Sequence, residues 1–299
     1  MNPSQTLVLA NPNSGTAKSE DISELCKKMA FALKVSEHQG HIAEIIQNTD
    51  PLKIKNIIVC GGDGTVSEAA KAIMKTSDLR LGIVPCGTGN DLCRTLGIPL
   101  DIQQAFNGFK DAKLQQIDVG IMKSASNETL FFNVASSGFS GDIDKHLESE
   151  DKKLWGTLVY YKSGLKALSN LEPFKVAVTV NEKVISQCMA LNCVVGNGKF
   201  AAGGIPIAPE ALIDDGRLDL MLYKGDGIWD QLSNLFAISE GSQLEGTQVE
   251  CLRLSEFTLK FDRPLHANYD GELFPERVNF LQFGIHPKKL SLIVQNNYS

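Results

Sequence analysis

The chain has 299 residues, 43% hydrophobic and 21% charged, with a formal net charge of −6 and seven cysteines. The length predicts one large or two ordinary domains, and the acidic balance argues against a general nucleic-acid binder. The cysteines lack metal-ligand spacing, no apolar run reaches the ~18 residues of a membrane span, and no charged leader precedes an apolar stretch. The expectation is a soluble, reduced, cytoplasmic protein that meets any lipid from the inner membrane face, with peripheral contact allowed.

In chain order, Thr6-Leu7-Val8-Leu9-Ala10 reads as a short buried strand that ends in the donor-rich turn Asn11-Pro12-Asn13-Ser14-Gly15. Ile22, Leu25, Met29 and Leu33 recur at helical spacing and predict a helix over residues 20–37. Residues 41–47 read as a second strand, separated from the next by residues 48–56 only. A parallel crossover usually needs a dozen or more residues. The connection is therefore an abbreviated turn, or the second strand is an antiparallel edge.

A third strand, Ile57-Ile58-Val59-Cys60, leads into Gly61-Gly62-Asp63-Gly64-Thr65, with a helix expected over residues 66–75 and Ser67 and Glu68 at its start. Strand, glycine turn and helix N-terminus together present backbone N–H groups and a positive dipole end to an anion. The turn matches neither a Walker loop nor a dinucleotide fingerprint. Asp63 places a carboxylate in it, which at a phosphate site calls for a metal or a transferred proton. A second such device follows the strand at residues 80–85: Cys86-Gly87-Thr88-Gly89-Asn90-Asp91. A helix from Asp91 stops near Gly97-Ile98-Pro99, and a helical segment at 101–109 closes the layer. Either glycine turn alone is compatible with a plain connection; two on neighbouring strands predict a phosphate cleft.

From residue 117 the pattern becomes short strands, at 116–122, 130–135, 174–180, 188–195, 217–223, 251–261, 277–283 and 290–295. A helix is expected at 154–171, and a second candidate lies at 229–239. The first carries an apolar stripe ringed by lysines, which suits core packing or an anionic membrane surface. The division is an α/β nucleotide-binding domain at 1–116 and a mostly antiparallel β-sandwich at 117–299, with the last strand able to return to the first domain.

Asn11-Pro12-x-Ser14-Gly15, Gly61-Gly62-Asp63-Gly64-Thr65 with Glu68, and Pro85-x-Gly87-Thr88-Gly89-Asn90-Asp91 resemble the three loops of the diacylglycerol kinase catalytic-domain family, related to sphingosine kinases. Gly196-Asn197-Gly198, Gly203-Gly204, Pro209-x-Ala211, Asp214-Asp215-Gly216-x-Leu218-Asp219 and Asp270-Gly271-Glu272 resemble its later blocks, so the likeness spans nearly the whole chain. The resemblance implies a first domain similar to NAD kinase and phosphofructokinase, ATP bound in a cleft, and phosphorylation of a lipid hydroxyl such as that of diacylglycerol, phosphatidylglycerol or a sphingoid base. Position by position, it implies nucleotide contacts at Asn11, Pro12, Asn13, Ser14, Gly15, Gly61, Gly62, Asp63, Gly64, Thr65, Val66, Ser67 and Thr88. It implies a metal at Leu212, Asp215 and Arg217, through the Asp215 side chain and the flanking carbonyls, an oxygen set that suits Mg²⁺. Asp270 and Glu272 match the acid motif; Glu272 is assigned as general base, Asp270 as its orienter, and Asp63 as a cation holder, directly or through water.

Ser67 stands where the family usually has Asn, and the region between the second and third strands reads as shortened, which leaves Thr49 a doubtful nucleotide contact. Asp270-Gly271 and Asp214-Asp215-Gly216 also suit plain turns. Other function classes are a kinase of a soluble substrate on the same loops, and a non-catalytic nucleotide binder, which would be expected to lose Asp63 or Glu272. The partner expected is a lipid at a membrane surface; a homodimer is compatible with the sequence.

Overall fold

The computed structural model describes residues 1–15, 19–76, 78–138, 172–225 and 249–294. The helices expected at 154–171 and 229–239 lie outside them. The chain divides into two compact units, one of residues 1–117 with 288–299, the other of residues 118–287.

The first unit is built on parallel strands. β1 (Thr6–Ala10) pairs with β2 (Ala32–Val35) on one side and β3 (Asn56–Gly61) on the other, and β3 pairs with β4 (Arg80–Pro85). The far edge of β4 takes Leu292 and Ile293 from the end of β15 (Val278–Val294). β1 and β3 are buried at every position, as strands covered on both faces must be.

The helices depart from expectation in physically readable ways. α1 (Ser19–Met29) carries Glu20 and Asp21 in its first turn and Lys27 and Lys28 in its last, matching the helix dipole. It stops well short of residue 37 because Ala30 turns into the left-handed region (φ +55°) and Phe31 N–H closes on Cys26 O at 2.9 Å. The freed residues 32–35 form β2. Residues 41–47, expected as a strand, are helix α2 (His41–Gln47). Ile42, Ile45 and Ile46 are buried, the i, i+3, i+4 face of a helix rather than the alternation of a strand. A helix therefore does connect the second and third strands, and no shortened crossover exists. Thr49 donates its hydroxyl to Ile45 O at 2.7 Å at the end of α2. The hydroxyl residue directly after β2 is Ser36, which is buried.

α3 runs over Asp63–Lys75 and begins at Asp63 with Gly62 as N-cap, three residues before the expected start. Ser67 is thus not a cap; it is buried in the second turn, its hydroxyl without a partner among the described residues. α4 (Asp91–Thr95) and α5 (Ile102–Gly108) follow β4. Among the described residues no helix is long and apolar enough to cross a membrane.

The second unit is antiparallel, entered at residue 118 within β5 (Lys113–Lys123) and continued by β6 (Glu128–Phe131), β7 (Val134–Gly138), β8 (Phe174–Val180), β9 (Lys183–Gly196), β10 (Leu218–Lys224), β11 (Val249–Leu254), β12 (Phe257–Leu265), β13 (Ala267–Tyr269) and β14 (Glu272–Leu273). The path runs β14-β13-β7-β9-β8-β12-β15, with β10 between β9 and β11, and β5 beside β6. The strand expected over 251–261 is two, β11 and β12, and those expected at 277–283 and 290–295 are one, β15. Its exposed stretch at 286–289, with Pro287 and Lys288 at φ +49°, imitates a turn in the sequence. Phe131, Phe174, Phe257, Phe261 and Phe283 fill the core.

Gly120 lies directly across from Phe131 in the β5–β6 ladder, and a Cβ there would sit 2.2 Å from the Phe131 ring. The ring is fully buried and set edge-on to Phe283 at 6.2 Å, so it has nowhere to retreat. Gly120→Ala should destabilise the protein by about 1–3 kcal/mol, the usual cost of overpacking. Urea denaturation checks this, and a parental midpoint would contradict it.

Candidate functional site

The first turn of α3 leaves its leading N–H groups without helical acceptors; Val66 N–H is bonded back to Gly62 O at 3.0 Å. Backbone donors and the positive dipole end thus sit directly after the β3 strand end, as an anion requires. Gly62 has φ −89°, so glycine is needed there for space rather than for backbone freedom: a Cβ would meet Gly87 Cα at 3.2 Å.

The three loops expected from the sequence are brought together. Asn11, at the end of β1, donates its side-chain amide to Thr65 Oγ1 at 3.0 Å, joining the first loop to the second. The first loop closes on itself through Asn13 N–H to Asn11 Oδ1 at 2.9 Å and Ser14 Oγ to Asn11 O at 2.7 Å. Gly15 holds φ +63° against the third loop, where a Cβ would come within 1.8 Å of Cys86 O. The third loop is closed by Asn90, which accepts Gly87 N–H at 3.0 Å and donates to Gly87 O at 2.7 Å. Pro12, Asn13, Gly15, Gly64 and Thr88 are exposed around this junction, whereas Gly61, Thr65, Val66 and Ser67 are buried.

Asp63 joins the second loop to the third. Its carboxylate accepts Asn90 N–H at 2.7 Å and Asp91 N–H at 2.9 Å, one on each oxygen. Asn90, the N-cap of α4, makes no side-chain cap bond of its own, so Asp63 caps that helix from another loop. Burial pushes the Asp63 carboxyl above its ordinary range, against the pull of the backbone donors. Glu68 has a parallel duty: its Oε1 accepts Ala43 N–H at 2.9 Å and caps α2. At the feet of the loops, burial above all holds the Cys60 thiol up, and it hydrogen-bonds Cys86.

In the second unit, Asp270-Gly271 is the two-residue turn of the β13–β14 hairpin, with φ +46° and +81°. The turn reading and the acid motif thus coincide. Asp270 accepts the N–H groups of Phe132 at 2.7 Å, Asn133 at 2.9 Å and Val134 at 3.1 Å, fixing the hairpin to the entry of β7. Glu272 is half-buried and accepts the Tyr269 hydroxyl at 3.1 Å.

Leu212, Asp215 and Arg217 lie exposed on the loop before β10. Asp215 Oδ1 accepts Arg217 N–H at 2.9 Å, and its other oxygen takes no hydrogen bond among the described residues. Asp118, fully buried, anchors the loop through Gly216 N–H at 2.6 Å and its own N–H to Ile213 O at 2.8 Å. A fixed loop with an available carboxylate oxygen flanked by carbonyls fits a hard cation such as Mg²⁺. Asp118 escaped the sequence reading because it sits in a strand with no turn signal. His38, His41 and Glu44 also approach within 4.8 Å of one another. The two imidazoles stack at 4.7 Å and 9°, so their lone pairs run parallel instead of converging, and His41 Nδ1 accepts Glu37 N–H at 3.0 Å. That cluster shapes the turn into α2.

Residues 5–122 match the diacylglycerol kinase catalytic domain, and residues 133–294 the YegS C-terminal NAD kinase beta sandwich-like domain. The chain is 30% identical to the Probable lipid kinase YegS of Escherichia coli O9:H4 (strain HS) over 249 residues, 82% of this chain and 80% of that one. A diacylglycerol kinase structure from Bacillus anthracis str. Sterne is 23% identical with a TM-score of 0.75, covering 98% of this chain and 97% of that one. Yeast NADH kinase, complexed with NADH, superposes with a TM-score of 0.59 at 11% identity, covering 99% of this chain and 85% of that one. These two structures show the shared fold: an NAD kinase-like α/β unit and a β-sandwich.

Gly15→Ala tests the junction. The left-handed backbone costs a non-glycine residue about 1–2 kcal/mol, and the added Cβ must also displace the third loop. ATP affinity should fall by roughly tenfold or more, read by calorimetry on the folded variant. Parental affinity would show that the first and third loops need not meet.

Proposed function

We propose, from the premise that the chain belongs to the diacylglycerol kinase catalytic-domain family and is an ATP-using lipid kinase, that it transfers the γ-phosphoryl group of ATP to a hydroxyl of a lipid presented at a membrane surface. The observation that carries this reading is the Asp270-Gly271-Glu272 hairpin, whose first acid is committed to three backbone donors and whose second is half-exposed. One acid pins the hairpin to the entry of β7, and this reading gives the proton to the other.

In this reading the α3 N-terminus and the exposed residues of the three loops bind the triphosphate through backbone donors, with the Asn11 amide keeping Thr65 in place. Asp63 acts as the clamp that holds the third loop in register, since both its oxygens accept backbone N–H groups. Leu212, Asp215 and Arg217 would hold a Mg²⁺ that steadies their own loop, and a separate cation at the nucleotide would neutralise charge on the phosphates. Glu272 accepts the proton of the attacking lipid hydroxyl, and Asp270 orients the hairpin that carries it. The acceptor class spans diacylglycerol, phosphatidylglycerol and sphingoid bases, and the protein works peripherally at the membrane.

The test combines acceptors with one substitution. With labelled ATP, the parent protein should phosphorylate a lipid dispersed in anionic mixed micelles and leave NAD and sugar phosphates unlabelled. Glu272→Gln keeps the shape and removes the basicity, so it should lower kcat by roughly 10²–10⁴-fold with ATP affinity nearly intact. Labelling of NAD or sugars with none of any lipid would replace the lipid reading by a soluble one. Near-parental turnover in Glu272→Gln beside an inactive Asp270→Asn would move the base to Asp270.

A further inference from the structure

We infer that Tyr269 is a positioning residue for this reaction: its phenol fixes the Glu272 carboxylate in the orientation that receives the acceptor's proton. The inference rests on the assignment of Glu272 as base made above.

Tyr269 and Glu272 face each other directly across the β13–β14 ladder, so their side chains share one face of the hairpin. The phenol donates to Glu272 Oε2 at 3.1 Å. The hairpin backbone is already fixed by the Asp270 carboxylate and by Asp270 N–H to Val134 O at 2.9 Å. The Glu272 side chain is long and rotamer-rich, and ordering it has an entropic cost. Holding one carboxylate oxygen fixes the plane in which the other lies.

The phenol is itself well placed to impose that constraint. Tyr269 is buried and set edge-on to Phe274, with ring centroids 6.3 Å apart at 79°. The phenol proton is directed to Glu272. Burial chiefly, and the charge of Glu272 in addition, push the phenol above its ordinary range, so it stays a donor at neutral pH. It moves no proton in the reaction. Its contribution is to shorten the search of a flexible base for the productive geometry. Nothing in the sequence pattern distinguishes this tyrosine from a core aromatic, because its partner lies across a turn whose conformation had to be known first.

Tyr269→Phe keeps the ring against Phe274 and removes only the donor. It should lower kcat by roughly ten- to a hundredfold, the range spanned by a hydrogen bond to a charged group. KM for ATP and for a micellar lipid acceptor should stay parental, as should the unfolding midpoint. In a Glu272→Gln background the same substitution should cost nothing further, because the two residues act as one unit. A slow Glu272→Gln with a parental Tyr269→Phe would overturn this inference and leave the base assignment standing. A near-parental Glu272→Gln would remove both. An equal loss from Tyr269→Phe in both backgrounds would show that the tyrosine acts independently of Glu272, and would also overturn the inference.

Discussion

The second and third loops of the first unit are held in register by one carboxylate accepting two backbone N–H groups across loops. Asp63 opens α3 and caps α4, so the two helices and the glycine turns before them cannot move separately. A helix as short as α4 has little stability of its own. Capping it from a neighbouring loop makes its start part of the site rather than a frayed end. The clamp also explains the close approach of Gly62 and Gly87: the loops are drawn so near that a side chain at Gly87 would meet Gly62 Cα at 2.5 Å.

The same device recurs in the second unit. Asp270 gathers three successive N–H groups at residues 132–134 as Asp63 gathers two at residues 90–91. Acids in glycine turns draw attention as reacting groups, yet both of these carboxylates accept backbone N–H groups of another segment. The consequence for mechanism is a division of labour. Clamping acids preorganise the backbone, and in the proposed mechanism Glu272, set on one clamped hairpin, takes the proton. Partly buried carboxylates of the first kind lose hydration unless paired, and here the pairing is with backbone donors.

The loops and the order of the two units were legible because glycine, asparagine and short polar runs declare turns whatever surrounds them. The α/β layer followed from the buried runs at Val8, Ile58 and Ile83. Elements whose signals conflict were harder to read. Ile42, Ile45 and Ile46 suggest a strand by residue type and a helix by spacing, and the spacing prevailed because Gly40 and Glu68 start the helix. Ala30 carries no turn signature, so the end of α1 was hidden until its left-handed backbone was seen. The start of α3 moved from residue 66 to Asp63 because a glycine N-cap leaves no side-chain mark. Contacts across long separations, such as Asp270 with residues 132–134 and Asp118 with Gly216, have no periodicity to betray them.

Asp63 clamps the third loop through Asn90 and Asp91 N–H, and ATP binding should depend on that clamp. Calorimetric titration of Asp63→Asn with ATP measures it most directly, since asparagine keeps the size but offers one acceptor oxygen and sets an amide N–H₂ against the other backbone donor. Losing a hydrogen bond to a charged group and leaving a donor unmet costs about 1.5–3 kcal/mol. ATP affinity should therefore fall by roughly tenfold or more, and the unfolding temperature should fall with it. Parental affinity and parental stability in Asp63→Asn would contradict it.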